Sequence, residues 1–89
     1  MTYQWDDANL EHIARHNVED FEAEEALEDP QGVSVDAYSR GDEKRYGFAG
    51  ATEAGRILTI FYTFRSNTLR VVTARDAHPR EKQRYRRRK

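Results

Sequence analysis

The chain has 89 residues, 37% of them apolar and 35% charged, which allows one small domain with a thin core. It has no cysteine, which excludes disulfides, thiolate zinc sites and cysteine nucleophiles. The net charge of −1 is a cancellation: residues 1–43 hold thirteen Asp/Glu against Arg15 and Arg40, a balance of −11, and residues 44–89 hold thirteen Lys/Arg against Glu53, Asp76 and Glu81, a balance of +10.

Tyr3-Gln4-Trp5 is a short aromatic segment suited to an edge strand. Asp6 or Asp7 offers an N-cap for a helix running to about His16, with Leu10, Ile13 and Ala14 on one face. Asn17 suits a left-handed stop. Asp20 opens a second helix carrying Phe21, Ala23, Ala26 and Leu27, and the two short helices are expected to pack on each other. Asp29-Pro30 and Gly32 end the helical half.

Val33-Ser34-Val35 alternates as a half-buried strand, and Ser39 to Asp42 reads as a turn. Arg45 to Gly50 and Ile57 to Phe64 are further strands, the second the strongest β segment in the chain. Ser66-Asn67 suits a tight turn returning the chain as Leu69 to Ala74. After Pro79, residues 80–89 carry seven positive charges and Tyr85, as a terminal helix or a basic arm. The expected architecture is a single α+β domain over residues 1–89: two N-terminal helices on an antiparallel sheet of three to four strands, then the basic tail. No apolar run approaches the roughly 20 residues of a membrane helix. Met1 to Asp7 lacks a signal-peptide pattern, and with no cysteine this suggests the cytoplasm.

Histidine and arginine carry the chemistry. His12 and His16 lie four apart and share a helix face, but Ile13 stands where a zinc-protease motif needs Glu, and His78 is remote, so no metal or other cofactor is expected. An imidazole also suits general acid–base work, and His16 is the candidate; its bland role is to favour the helix C-terminus as a cation. With a two-residue turn at Ser66-Asn67, Arg65 lies opposite Thr68 and shares a face with Arg70, while Arg75 falls on the other face beside Leu58. Arg45, Arg65, Arg70 and Arg75 then suit phosphate, which accepts paired guanidinium hydrogen bonds, or else simply solvate a small sheet. In the tail, Arg80, Arg84 and neighbouring cations suit phosphates, and Tyr85 suits stacking on an unpaired base. The seven acidic residues among Glu19 to Asp29 read as a surface facing solvent or a partner. There is no glycine-rich phosphate loop and no Gly-x-Ser-x-Gly elbow.

Several fragments, in order, resemble the BrnT family, the toxin half of bacterial BrnT–BrnA toxin–antitoxin modules. These are Trp5-Asp6; Arg15-His16-Asn17-Val18 with Phe21, Glu22 and Glu25-Ala26; Asp29-Pro30; Glu43 with Arg45; Gly50; Tyr62-Thr63-Phe64-Arg65; and Arg70 to Ala77 with Glu81 and Tyr85. The resemblance implies a RelE-like fold and a metal-independent endoribonuclease toxin bound by a BrnA-like antitoxin in a hetero-oligomer. It implies attack by a ribose 2′-hydroxyl on the adjacent phosphate, with His16 as acid or base. Arg45, Arg65 and Arg75 would neutralise the phosphate, and Arg15, Arg70, Arg80, Arg84 and Tyr85 would position RNA. The alternatives are a non-catalytic nucleic-acid-binding or autoregulatory subunit and a plain interaction module; cleavage that persists in EDTA separates the first reading from both.

Overall fold

A computed structural model describes residues 1–37 and 39–87. The elements are β1 (Tyr3–Gln4), α1 (Asp7–Ala14), α2 (Asp20–Leu27), β2 (Val33–Val35), β3 (Tyr46–Ala51), β4 (Ile57–Arg65), β5 (Thr68–Asp76) and α3 (Pro79–Arg86). One mixed sheet has the order β1-β5-β4-β3-β2. The strands β2 to β5 form the expected antiparallel meander. A fifth strand, β1, adds in parallel to β5 and corrects the count of three to four. It is the edge strand suggested at Tyr3-Gln4-Trp5, but two residues carry no pattern that would give its parallel partner.

Local chemistry sets the helix ends. The Asp6 carboxylate accepts from the Asn9 backbone N–H at 3.1 Å, and Asn9 Oδ1 accepts from the Asp6 N–H at 2.8 Å. Helix α1 stops at Ala14, short of the expected His16, because the N–H groups of His16 and Asn17 turn to the carbonyls three residues back. Asn17 then takes a positive φ of 59°, as its side chain tolerates. The backbone N–H of Glu19 donates to Glu22 at 3.0 Å and starts α2.

The two N-terminal helices pack on the sheet, α1 against β5 and α2 against β3 and β4, rather than mainly on each other. One core joins them: Ile13, Val18, Ala23 and Ala26 meet Leu58, Ile60, Leu69, Val71 and Ala74. Close approach of α2 depends on Gly50, where an added Cβ would fall 2.0 Å from the Ala26 carbonyl oxygen. The acidic face of α2 is partly used inside the molecule. Glu24 accepts from the Trp5 indole at 2.7 Å, Glu28 from the Tyr3 hydroxyl at 2.7 Å, and Glu22 pairs with Arg56 at 3.3 Å.

Ser66 and Asn67 take φ values of 51° and 63°, so the β4–β5 connection is the two-residue turn and Arg65 pairs with Thr68 and Thr63 with Arg70. A bulge at Phe61/Tyr62 then shifts the register, placing Arg75 opposite Thr59 and not beside Leu58. The one-residue shift moves Arg75 off the core face of Leu58 and Ile60. The start of the basic tail is a helix. Glu81 accepts from the backbone N–H of its cap residue His78 at 2.7 Å, and the Tyr85 hydroxyl donates to Asp29 at 2.6 Å. Arg88 and Lys89 lie outside the described residues. Among the described residues no helix is long and apolar enough to cross a membrane.

Candidate active site

A cleft of about 210 Å³ lies between α1 and the end of the sheet that carries the β4–β5 turn; Ala8, Asn9, His12, Glu43, Arg45, Arg65, Arg70, Val71 and Val72 line it. Two buried polar groups hold its walls. Asn9, 4% exposed, donates from Nδ2 to the carbonyls of Gln4 at 2.9 Å and Val71 at 3.3 Å, which fixes α1 to the sheet edge and sets His12 over the cleft. Thr63, 2% exposed, donates to the Lys44 carbonyl at 2.8 Å and fixes the segment that carries Arg45.

Three guanidinium groups share the cleft with the exposed His12, and two carboxylates pair with them. Arg65 donates to Glu43 at 3.0 Å, and Arg70 donates to Asp6 through both terminal nitrogens at 2.8 and 3.3 Å. Arg45 Nε lies 3.4 Å from Glu43, near enough for attraction between charges but out of hydrogen-bond alignment. That nitrogen is therefore a buried donor with no acceptor. The hydrogen bond from Arg65, followed by its charge and by Arg45, holds the Glu43 carboxyl below the usual range. The hydrogen bond from Arg70 does the same to Asp6. Both carboxylates stay ionised at neutral pH and act as built-in counter-ions.

The structure gathers Arg45, Arg65 and Arg70, but the imidazole beside them belongs to His12 and not to His16. His16 is one helical turn further on, its ring 6.0 Å from that of His12 and tilted by 53°. Its carbonyl accepts from Arg56 at 3.3 Å, and its side chain does not line the cleft. Arg15, the exposed C-cap of α1, does not line it either. Arg75 is held elsewhere by both oxygens of Glu81, at 2.8 and 3.1 Å, with the Phe61 ring 5.5 Å away. Arg80 and Arg84 line a second groove together with Arg87. Tyr85 is buried and its hydroxyl is spent on Asp29, so its ring is not presented for stacking on a base. The shared helix face of Asn9 and His12, three residues apart, was the available signal for His12; which imidazole reaches the arginines depends on how α1 docks. No group of three metal-ligating side chains occurs among the described residues.

His12 and the three arginines, on a small α+β scaffold, line one cleft whose chemistry suits an anion beside a proton-transfer group. The model for the ribonuclease toxin BrnT of type II toxin–antitoxin systems matches residues 5–81, and the chain belongs to that family. The protein is thus an endoribonuclease by family, and a toxin of this type implies an antitoxin partner. No curated protein sequence matches the chain.

Proposed function

We propose that the protein cuts single-stranded RNA in the His12 cleft without a metal ion, by attack of a ribose 2′-hydroxyl on the adjacent phosphorus. The observation that carries this reading is the convergence of His12, Arg45, Arg65 and Arg70 on one cleft. An imidazole exchanges protons near neutral pH, and His12 takes the 2′-hydroxyl proton as the 2′-oxygen bonds to phosphorus. The bond to the 5′-oxygen breaks, and that oxygen takes a proton from the solvent to which the cleft opens. The products are a 2′,3′-cyclic phosphate and a 5′-hydroxyl. The arginines neutralise charge on the phosphorane, the service a divalent cation gives in other nucleases. Arg45, with its unmet Nε donor, and Arg65 serve the reacting phosphate, while Arg70 holds the strand at the α1 side. The antitoxin, of BrnA type, covers this surface and blocks RNA entry.

The experiment is cleavage of end-labelled single-stranded RNA in EDTA by the purified protein and by His12→Ala and His16→Ala variants. Cleavage by the unaltered protein, loss of about 10²-fold or more in kcat for His12→Ala, and a far smaller change for His16→Ala support the proposal. A greater loss for His16→Ala moves the proton-transfer role one turn along the helix. RNA binding with no cutting refutes catalysis in this cleft.

A further inference from the structure

A groove of about 750 Å³ between α3 and the 30–33 turn has no part in the chemistry above. Arg80, Arg84 and Arg87 line one wall, with Gln83 between them and Gln31 and Val33 across from them. No Asp or Glu is among the lining residues, and none of the three arginines forms an ion pair among the described residues. Arg84 spends its Nε on the Ser34 carbonyl, 2.7 Å away, and its two terminal nitrogens form no hydrogen bond among the described residues.

Arg80 and Arg84 are four apart and share one face of α3, and the C-cap Arg87 lines the same groove just past the helix. Along the helix axis Arg80 and Arg84 are about 6 Å apart, comparable to neighbouring phosphates of an extended strand. Like charges at this spacing disfavour a helix, and α3 keeps its shape because its other side is clamped. Glu81 accepts from Thr59 and Arg75, and Tyr85 donates to Asp29. The guanidinium row is therefore held on a rigid support.

We infer that this groove is a second docking site for RNA, gripping the backbone of the strand that flanks the segment in the His12 cleft. The inference rests on the reading of the protein as an RNA-cleaving enzyme. Its lining favours a nucleic-acid backbone over a protein segment: guanidinium and carboxamide groups match phosphate and ribose, while no large aromatic or aliphatic pocket is present to anchor a side chain. The protein spans 32 Å along its longest axis, less than the contour of an extended strand of about sixteen nucleotides at the roughly 6 Å phosphate spacing. Arg84 and Arg87 fall beyond the segment that the family model matches.

The test compares fluorescein-labelled, 2′-O-methylated single-stranded RNAs of about four and about sixteen nucleotides, lengths that bracket common single-strand site sizes. Binding is read by anisotropy for the unaltered protein, an Arg80→Gln/Arg87→Gln variant and Arg45→Ala; the substitutions spare Arg84, and thermal unfolding verifies the fold. The long RNA binds the unaltered protein more tightly than the short one. In the double variant that length advantage falls about tenfold, and the salt slope for the long RNA drops by about 1.4, as expected for two lost phosphate contacts. Arg45→Ala weakens both lengths alike. A length advantage that survives in the double variant overturns the inference while the cleft reading stands, and so does an undiminished affinity for RNA accompanied by weaker antitoxin binding. Failure of the unaltered protein to bind either RNA at low salt overturns both readings.

Discussion

In the His12 cleft each arginine has a carboxylate within 3.4 Å, whereas the three arginines of the α3 groove meet none among the described residues. The same side chain serves two purposes. Glu43 and Asp6 hold Arg45, Arg65 and Arg70 in fixed positions before substrate arrives, at the cost that a phosphate must displace or share with them. Such preorganisation suits a reacting centre, where a small misplacement of charge is expensive. The α3 groove keeps its charge unspent, which suits reversible contact with a backbone and a steep dependence on salt.

The contrast is broken most severely by removing the group only one cleft has. His12→Ala should cost about 10²–10⁴-fold in kcat, measured in single-turnover cleavage, since proton transfer is not replaced by any arginine. Arg45→Ala should cost about 10²-fold in the same assay by removing one charge from the phosphorane; a change confined to KM would place Arg45 in binding alone.

The support of the groove is tested by acid. Arg75, the His78 backbone and Thr59 all hydrogen-bond Glu81 and, against the opposing effect of its burial, bring its carboxyl down to about 2 from an ordinary 4.5. A lowered folded-state value means that ionised Glu81 stabilises the fold above about 4.5, and that this is lost as pH falls from 4.5 towards 2. Urea midpoints measured across that window should fall for the unaltered protein and change less for Glu81→Gln. The smallest effect concerns the built-in counter-ion. Glu43→Gln should tighten RNA binding roughly threefold, by anisotropy at low salt, because a competing anion is gone. Weaker binding would mean that Glu43 positions Arg65 more than it competes with substrate.

What the sequence made legible was what short-range chemistry decides. The Asp6 cap, the left-handed Asn17, the tight Ser66-Asn67 turn and the strands around Ile57 and Val33 all follow from residues within a few positions of each other. The Phe61/Tyr62 bulge was not legible, because apolar side chains run through that part of β4 and β5 and leave no alternation to mark the slip. That slip is what carries Arg75 away from Leu58 and puts it opposite Thr59. Helix α3 was ambiguous because Tyr85 is its one buried side chain, and the contacts that dock it come from residues 59, 75 and 29. His12 and His16 look equivalent along the helix. The docking of α1, through Ile13 in the core, Asp6 on Arg70 and Asn9 on Gln4 and Val71, decides which of them shares the cleft with the arginines.

In the proposed reaction the ribose 2′-hydroxyl is the nucleophile, in a cleft that supplies its own positive charge. The most direct measurement is the chemistry of the fragment ends after cleavage in EDTA, by mass spectrometry of a defined oligoribonucleotide. A 2′,3′-cyclic phosphate on one fragment and a 5′-hydroxyl on the other is the predicted result. A 3′-hydroxyl with a 5′-phosphate, the mark of attack by water, would contradict it.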